Sequence, residues 1–200
     1  MPRDVKQSNN KGFTIVNGGY AGIYLPSASD SCTVEKNFFT ENYHGIEADS
    51  DGNVIRNNIV INNSGTGIII HGAFNRVEQN IIANHLSPGI SLWLAGYNTI
   101  QKNIIRNNLG GGILLERSDN NDISRNLITK NEYVGIHLIE SVYNSVMENL
   151  VINNSRTGIV IVWAGCNTVK GNIIVCNAYG ISIGLSDENL VEGNIVLRNA

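Results

Sequence analysis

The dipeptide Gly-Ile returns at residues 22, 45, 67, 89, 112, 135, 158 and 180, at intervals of 22 or 23 residues. A period of that length marks a stacked repeat, in which each unit buries its apolar side only against its neighbours. This confines the fold far more tightly than the function. The unit at the centre of the chain runs from Gly112 to Asn131 and contains three short β-type runs around Ile113 and Leu115, Ile123 and Ile128, each closed by Asn, Ser, Asp or Gly. It carries no helical period. Three short strands per turn, closing on themselves, describe an all-β, right-handed, single-stranded parallel β-helix of about eight coils. A leucine-rich repeat has a similar length, but it places Leu at fixed positions with one Asn per unit, whereas Ile and Val dominate here and three Asn recur. The repeat domain is read over residues 12–200, after a polar lead-in at 1–11. Neither end carries a recognisable cap, so a segment of a longer protein is expected, with self-association through uncapped ends as the alternative.

The asparagines fall into columns. One holds Asn53, Asn75, Asn98, Asn121, Asn144, Asn167 and Asn189; a second, five residues on, holds Asn58, Asn80, Asn103, Asn126, Asn149, Asn172 and Asn194, with Asn37 ahead of it. A third is read as Asn17, Asn42, Asn62, Asn84, Asn107, Asn131, Asn153, Asn177 and Asn199. Asn suits such corners because it tolerates the left-handed backbone region and bonds nearby backbone groups. Stacked amides also bond one another from coil to coil. Between the corners, Val34, Ile55, Val77, Ile100, Ile123, Val146, Val169 and Val191 form one core column and the Gly-Ile isoleucines another. Phe38, Ile59, Ile81, Ile104, Leu127, Leu150, Ile173 and Ile195 stand beside a further apolar residue, which breaks strict alternation. Either the corner bend turns both residues inward, which is the expectation, or an apolar stripe faces outward.

Fourteen Lys and Arg against 17 Asp and Glu leave a net charge of -3, so the chain has no basic footprint for nucleic acid. Its apolar runs are too short to span a bilayer, and its opening residues lack the apolar stretch of a signal peptide. Cys32, Cys166 and Cys176 are odd in number and are read as free thiols.

The pattern N-x-I-x-x-N-I-I-x-N followed by Gly-Ile resembles the right-handed parallel β-helix repeat shared by NosD-like proteins and the carbohydrate-binding and sugar-hydrolysis domains. The resemblance runs from about Gly12 to Ala200 and implies a pectate-lyase-like fold with an extracellular or periplasmic location. Its members include polysaccharide lyases, hydrolases and epimerases, surface proteins and an accessory factor for copper delivery, so fold alone does not select an activity. The Asn-Thr-Asp motif of polygalacturonases, the Arg-x-Pro-x-x-Arg of pectate lyases and the Asp-Pro-His of alginate epimerases are absent. Two Met, scattered Cys and four His give little support to copper.

Chemistry is sought on the strands that begin with Gly-Ile, because their outward positions stack on one another. Four residues beyond each Gly stand Pro26, Asp49, His71, Trp93, Glu116, Ile139, Val162 and Gly184; two residues beyond stand Tyr24, Glu47, Ile69, Ser91, Leu114, His137, Val160 and Ser182. The polar and aromatic members cluster in the middle coils. Glu47, Asp49, His71, Glu116 and His137 are the candidate catalytic residues, with Trp93, Tyr43, His44, Tyr133 and Arg117 as the candidate sugar contacts. Glu47 and Asp49, about 7 Å apart along one strand, fit the carboxylate spacing of an inverting hydrolase. A lyase or epimerase would instead use His71 or His137 as the base. No set of metal ligands stands out, although a divalent cation such as calcium is compatible with this chemistry. The leading expectation is a module that binds or processes an extended polysaccharide; the alternative is a non-catalytic surface or scaffold repeat of the NosD-like kind.

Overall fold

A computed structural model describes residues 4–7 and 12–200. The chain winds into a solenoid of about eight turns with three parallel sheets, and the described residues contain no helix. Each turn contributes one strand to each sheet. The first sheet holds the Gly-Ile strands, from Ala21–Leu25 and His44–Ala48 to Thr157–Val162 and Tyr179–Gly184. The second runs from Thr33–Glu35 to Leu190–Glu192, and the third from Phe38–Thr40 to Ile195–Leu197. The third sheet is extended by Phe13–Val16, and Asp4–Gln7 pairs antiparallel with that strand. The rest of the 1–11 lead-in lies outside the described residues.

The core follows from β alternation. Ile46, Ile68, Ile90, Ile113, Ile136 and Ile159 stack inward from the first sheet, Val34 to Val169 from the second, and Phe39, Val60, Ile82, Ile105, Ile128, Val151 and Ile174 from the third. Burial of each contributes roughly 1.5–3 kcal/mol. The ambiguous apolar column is corrected by the third sheet. Ile59, Ile81, Leu127 and Leu150 are only half-buried, and Ile104 and Ile173 are exposed, so the column faces outward. The turn is completed before the strand begins, and alternation therefore survives across the corner.

The asparagine ladders are real hydrogen-bonded columns. The backbone N–H and side-chain Nδ2 of Asn80 both donate to Oδ1 of Asn103 at 3.0 Å, and Asn103 repeats the pattern to Asn126. The left-handed backbone falls one residue earlier, on Lys36, Asn57, Gln79, Lys102, Arg125 and Glu148 in this ladder. Asn is thus retained in the ladder for its amide, and side chains of every kind occupy the strained position before it.

This offset corrects the third column. The ladder there runs Asn42, Asn63, His85, Asn108, Asn131, Asn154, Asn177 and Asn199. Asn17, Asn62, Asn84, Asn107 and Asn153 instead take positive φ at the preceding corner position. His85 fills a rung that every neighbouring coil gives to Asn. Its Nε2 donates to the Val60 carbonyl at 3.0 Å, which leaves Nδ1 to accept from the Asn63 N–H at 3.3 Å. Only the neutral ring fits both bonds, and burial holds its pKa at about 4.

A pH dependence follows. In the unfolded chain His85 takes up a proton below about pH 6.5, whereas the folded chain resists it down to about pH 4. Between these values the unfolded state carries more protons, so stability falls as the pH drops. Burial also lowers the pKa of His44 and His137, which adds in the same direction. His85→Asn is expected to gain about 2 kcal/mol on the parent between pH 7 and pH 4.5 in urea unfolding. An identical difference between the two proteins at both pH values would refute the assignment.

Candidate functional site

The register aligns the outer face of the first sheet as the 22- and 23-residue spacing requires. Ala48 pairs with Ile70 and Ile70 with Leu92, so the next residues, Asp49, His71 and Trp93, stand in one row, and Trp93 pairs directly with Glu116. In the neighbouring row Tyr24 pairs with Glu47 and Glu47 with Ile69. Glu47, Asp49, His71, Trp93 and Leu94 line an open depression of about 430 Å³.

Within it, His71 Nε2 is 3.9 Å from a carboxylate oxygen of Glu47 and 3.9 Å from one of Asp49. The other Asp49 oxygen accepts a 2.6 Å hydrogen bond from the Tyr24 hydroxyl. Trp93, 46% exposed, packs its ring edge-on to His71 at 5.5 Å between centroids. Glu47 points to the same side but is only 7% exposed, since Tyr24 precedes and Ile69 follows it in register. Burial pushes its pKa up, and the Asp49 charge adds to that while His71 opposes it. One of its oxygens, Oε2, is buried without a hydrogen-bond partner.

The remaining candidates lie around or away from this floor. Glu116 is half-buried one coil beyond Trp93, outside the depression. His137 sits between Leu114 and Val160 in register, near Tyr133 at 6.4 Å, and its burial among them lowers its pKa. Tyr43 is exposed, outside the lining of the depression, with its ring tilted against that of Tyr20 at 5.8 Å. His44 lies beneath it, 8% exposed, with Nδ1 accepting from the Thr66 N–H at 3.0 Å. Arg117 occupies a left-handed corner position, bonds Glu140 at 2.7 Å and is not among the residues lining the depression. Leu94, Arg117, Glu140, Trp163 and Leu185 form one corner column of left-handed backbone, of which Leu94 lines the depression.

Two features escape the sequence. Tyr24 is visible there as a member of the outer row, but its hydroxyl crosses to the adjacent row to reach Asp49. The carboxylate oxygens of Glu47 and Asp49 come within 4.8 Å of each other, closer than backbone spacing suggests. The two side chains lean together toward His71 Nε2, which stands 3.9 Å from an oxygen of each.

Three parallel sheets in single file, with a depression on one outer face, define the class of the molecule as a parallel β-helix. Residues 21–174 match the family model described as "Right handed beta helix region", and the chain belongs to that family. Among solved structures it is similar to the periplasmic alginate epimerase AlgG, with a TM-score of 0.80 at 22% identity over 92% of this chain and 50% of that one. It is also similar to the enzymatically active domain of bacteriophage CBA120 tailspike protein 2, with a TM-score of 0.79 at 12% identity over 90% of this chain and 33% of that one. The A-module of Azotobacter vinelandii mannuronan C-5 epimerase AlgE4 aligns with a TM-score of 0.67 at 14% identity, over 82% and 61% of the two chains. The chain thus spans about half the length of AlgG. At these identities the likeness establishes the fold alone. No curated protein matches the chain significantly. Among the described residues, no helix is long and apolar enough to cross a membrane.

Proposed function

We propose that the chain binds an extended polysaccharide along the outer face of the first sheet, with Trp93 as the stacking platform. Tyr24, Asp49 and His71 form the polar floor beneath the sugar, and Glu116 and Tyr43 flank the path of the polymer. The observation that carries this reading is an exposed Trp packed against His71 in an open depression that Asp49, held by the Tyr24 hydroxyl, also lines. A large exposed aromatic beside oriented polar groups is how a small ligand area yields affinity. The β-helix neighbours named above, two of them alginate or mannuronan epimerases and one a phage tailspike, support a polymer of sugars and a site of action outside the cytoplasm. Where the polymer is turned over, His71, flanked by Glu47 and Asp49, is the group placed to transfer a proton.

Trp93→Ala is expected to weaken binding about tenfold, the loss of roughly 1.4 kcal/mol, while leaving the urea midpoint unchanged. Calorimetric titration against acidic and neutral polysaccharides reads the first effect, and absorbance in the unsaturated-uronate band reports lyase turnover. A scaffold repeat with no sugar chemistry expects parent and variant to be equally silent.

A further inference from the structure

We propose that Glu47, Asp49 and His71 form a binding site for a divalent first-row transition-metal cation, of the zinc or manganese class, at the floor of the depression beside Trp93. One donor atom from each residue lies within 4.8 Å of the other two. Bonds of about 2.0–2.2 Å to a common ion place neighbouring ligands roughly 3.0–3.5 Å apart. The observed 3.9 Å from His71 Nε2 to each carboxylate is too long for a hydrogen bond; about half an ångström of movement brings each of these two distances to the metal spacing, and rotation of the carboxylates closes the remaining gap between Glu47 and Asp49, whose oxygens lie within 4.8 Å.

A second observation points to the same ligand. Glu47 is more than nine-tenths buried, lines the depression, and keeps Oε2 without any partner. Its other oxygen, Oε1, faces His71 at 3.9 Å and makes no hydrogen bond either, so the buried carboxylate is unmatched on both atoms, and a cation bound at Oε1 compensates its charge. The surroundings are those of a supported ligand set. Tyr24 holds Asp49 through Oδ2 and leaves Oδ1 toward His71, while the Trp93 edge fixes the imidazole. One imidazole nitrogen with two carboxylates suits zinc or manganese better than calcium, which takes six to eight oxygens.

All three donors approach from the protein, so further coordination positions face solvent and Trp93. The depression is lined by two carboxylates and by no Lys or Arg. An acidic sugar arriving at Trp93 would meet like charge there, and a cation with open positions joins the two. That bridging role rests on the polysaccharide reading; the cation site itself does not.

The test is calorimetric titration of the tag-free, metal-stripped chain with its thiols alkylated, using zinc, manganese and calcium chlorides in turn. One zinc or manganese ion per chain is expected, with calcium at least tenfold weaker. His71→Gln and Glu47→Gln are each expected to weaken binding at least tenfold. Circular dichroism verifies that Glu47→Gln folds, and His71→Gln alters a half-exposed side chain, so one variant remains informative should the other unfold. No saturable binding, or parental affinity in folded His71→Gln, overturns the site; a preference for calcium overturns the transition-metal assignment. Zinc binding with polymer affinity unchanged by zinc or chelator overturns the bridging role and leaves the site standing. Zinc binding with no response to any polymer overturns the polysaccharide reading alone.

Discussion

Gly112→Ala is expected to destabilise the solenoid by roughly 3 kcal/mol or more, comparable with severe overpacking of a core. The Gly-Ile glycines are required for space, not for backbone freedom. A Cβ on Gly112 would stand 2.4 Å from the Gly135 carbonyl oxygen and 2.5 Å from Ile128 Cγ2. The same branched methyl from the third sheet meets Gly45, Gly67, Gly89, Gly135, Gly158 and Gly180, supplied in turn by Val60, Ile82, Ile105, Val151, Ile174 and Val196. Each coil therefore closes by fitting an aliphatic side chain into the place where a glycine lacks one. Trimming Ile128 to Ala removes only one of the two clashes and is itself costly because Ile128 is fully buried, so the loss in the double variant is expected to be smaller than the sum of the two single losses. Gly184→Ala is the control, since nothing lies within 4 Å of its Cβ position, and it is expected to shift stability by less than about 0.5 kcal/mol. Urea midpoints of the three variants give the comparison.

Asn103→Leu is expected to cost about 4 kcal/mol. Asn103 Oδ1 accepts from the N–H and Nδ2 of Asn80, and its Nδ2 donates to the Val77 carbonyl at 2.8 Å and to Asn126 Oδ1 at 3.0 Å. Leu matches the volume but leaves buried groups on both adjacent coils unpaired, each worth about 1–3 kcal/mol before relaxation. Lys102→Gly, one residue away, is expected to be neutral or slightly stabilising, because Lys102 sits at φ 55°. Equal losses at the two positions, read from urea unfolding, would show that the corner conformation rather than the amide ladder holds the coils together.

These two variants also mark what is legible in the sequence. The period aligns Asp49, His71, Trp93 and Glu116 because parallel strands in a solenoid stack without shift, so counting from glycine is counting in space. It fails where two neighbouring residues are chemically alike. The doublets Asn62-Asn63, Asn107-Asn108 and Asn153-Asn154 offer two ladder positions, and only the left-handed φ of the first separates them. His85, one place after Asn84, occupies the rung the doublets would have revealed. At the site, rows could be read but side-chain reach could not. The Tyr24 bond to Asp49, the burial of Glu47 and the convergence of two carboxylates on His71 all depend on χ angles, to which a residue spacing is blind. Arg117 shows the same limit, because its corner conformation turns it to Glu140.

The chain has two Trp, so Trp163→Phe leaves Trp93 as the sole indole. Its emission during titration with acidic and neutral polysaccharides is the most direct test of the central claim that this face binds sugar polymers. A saturable change in Trp93 fluorescence with at least one polymer, lost in Asp49→Asn or His71→Gln, is the expected result. Emission that stays constant across the whole panel, with the protein folded, would contradict it.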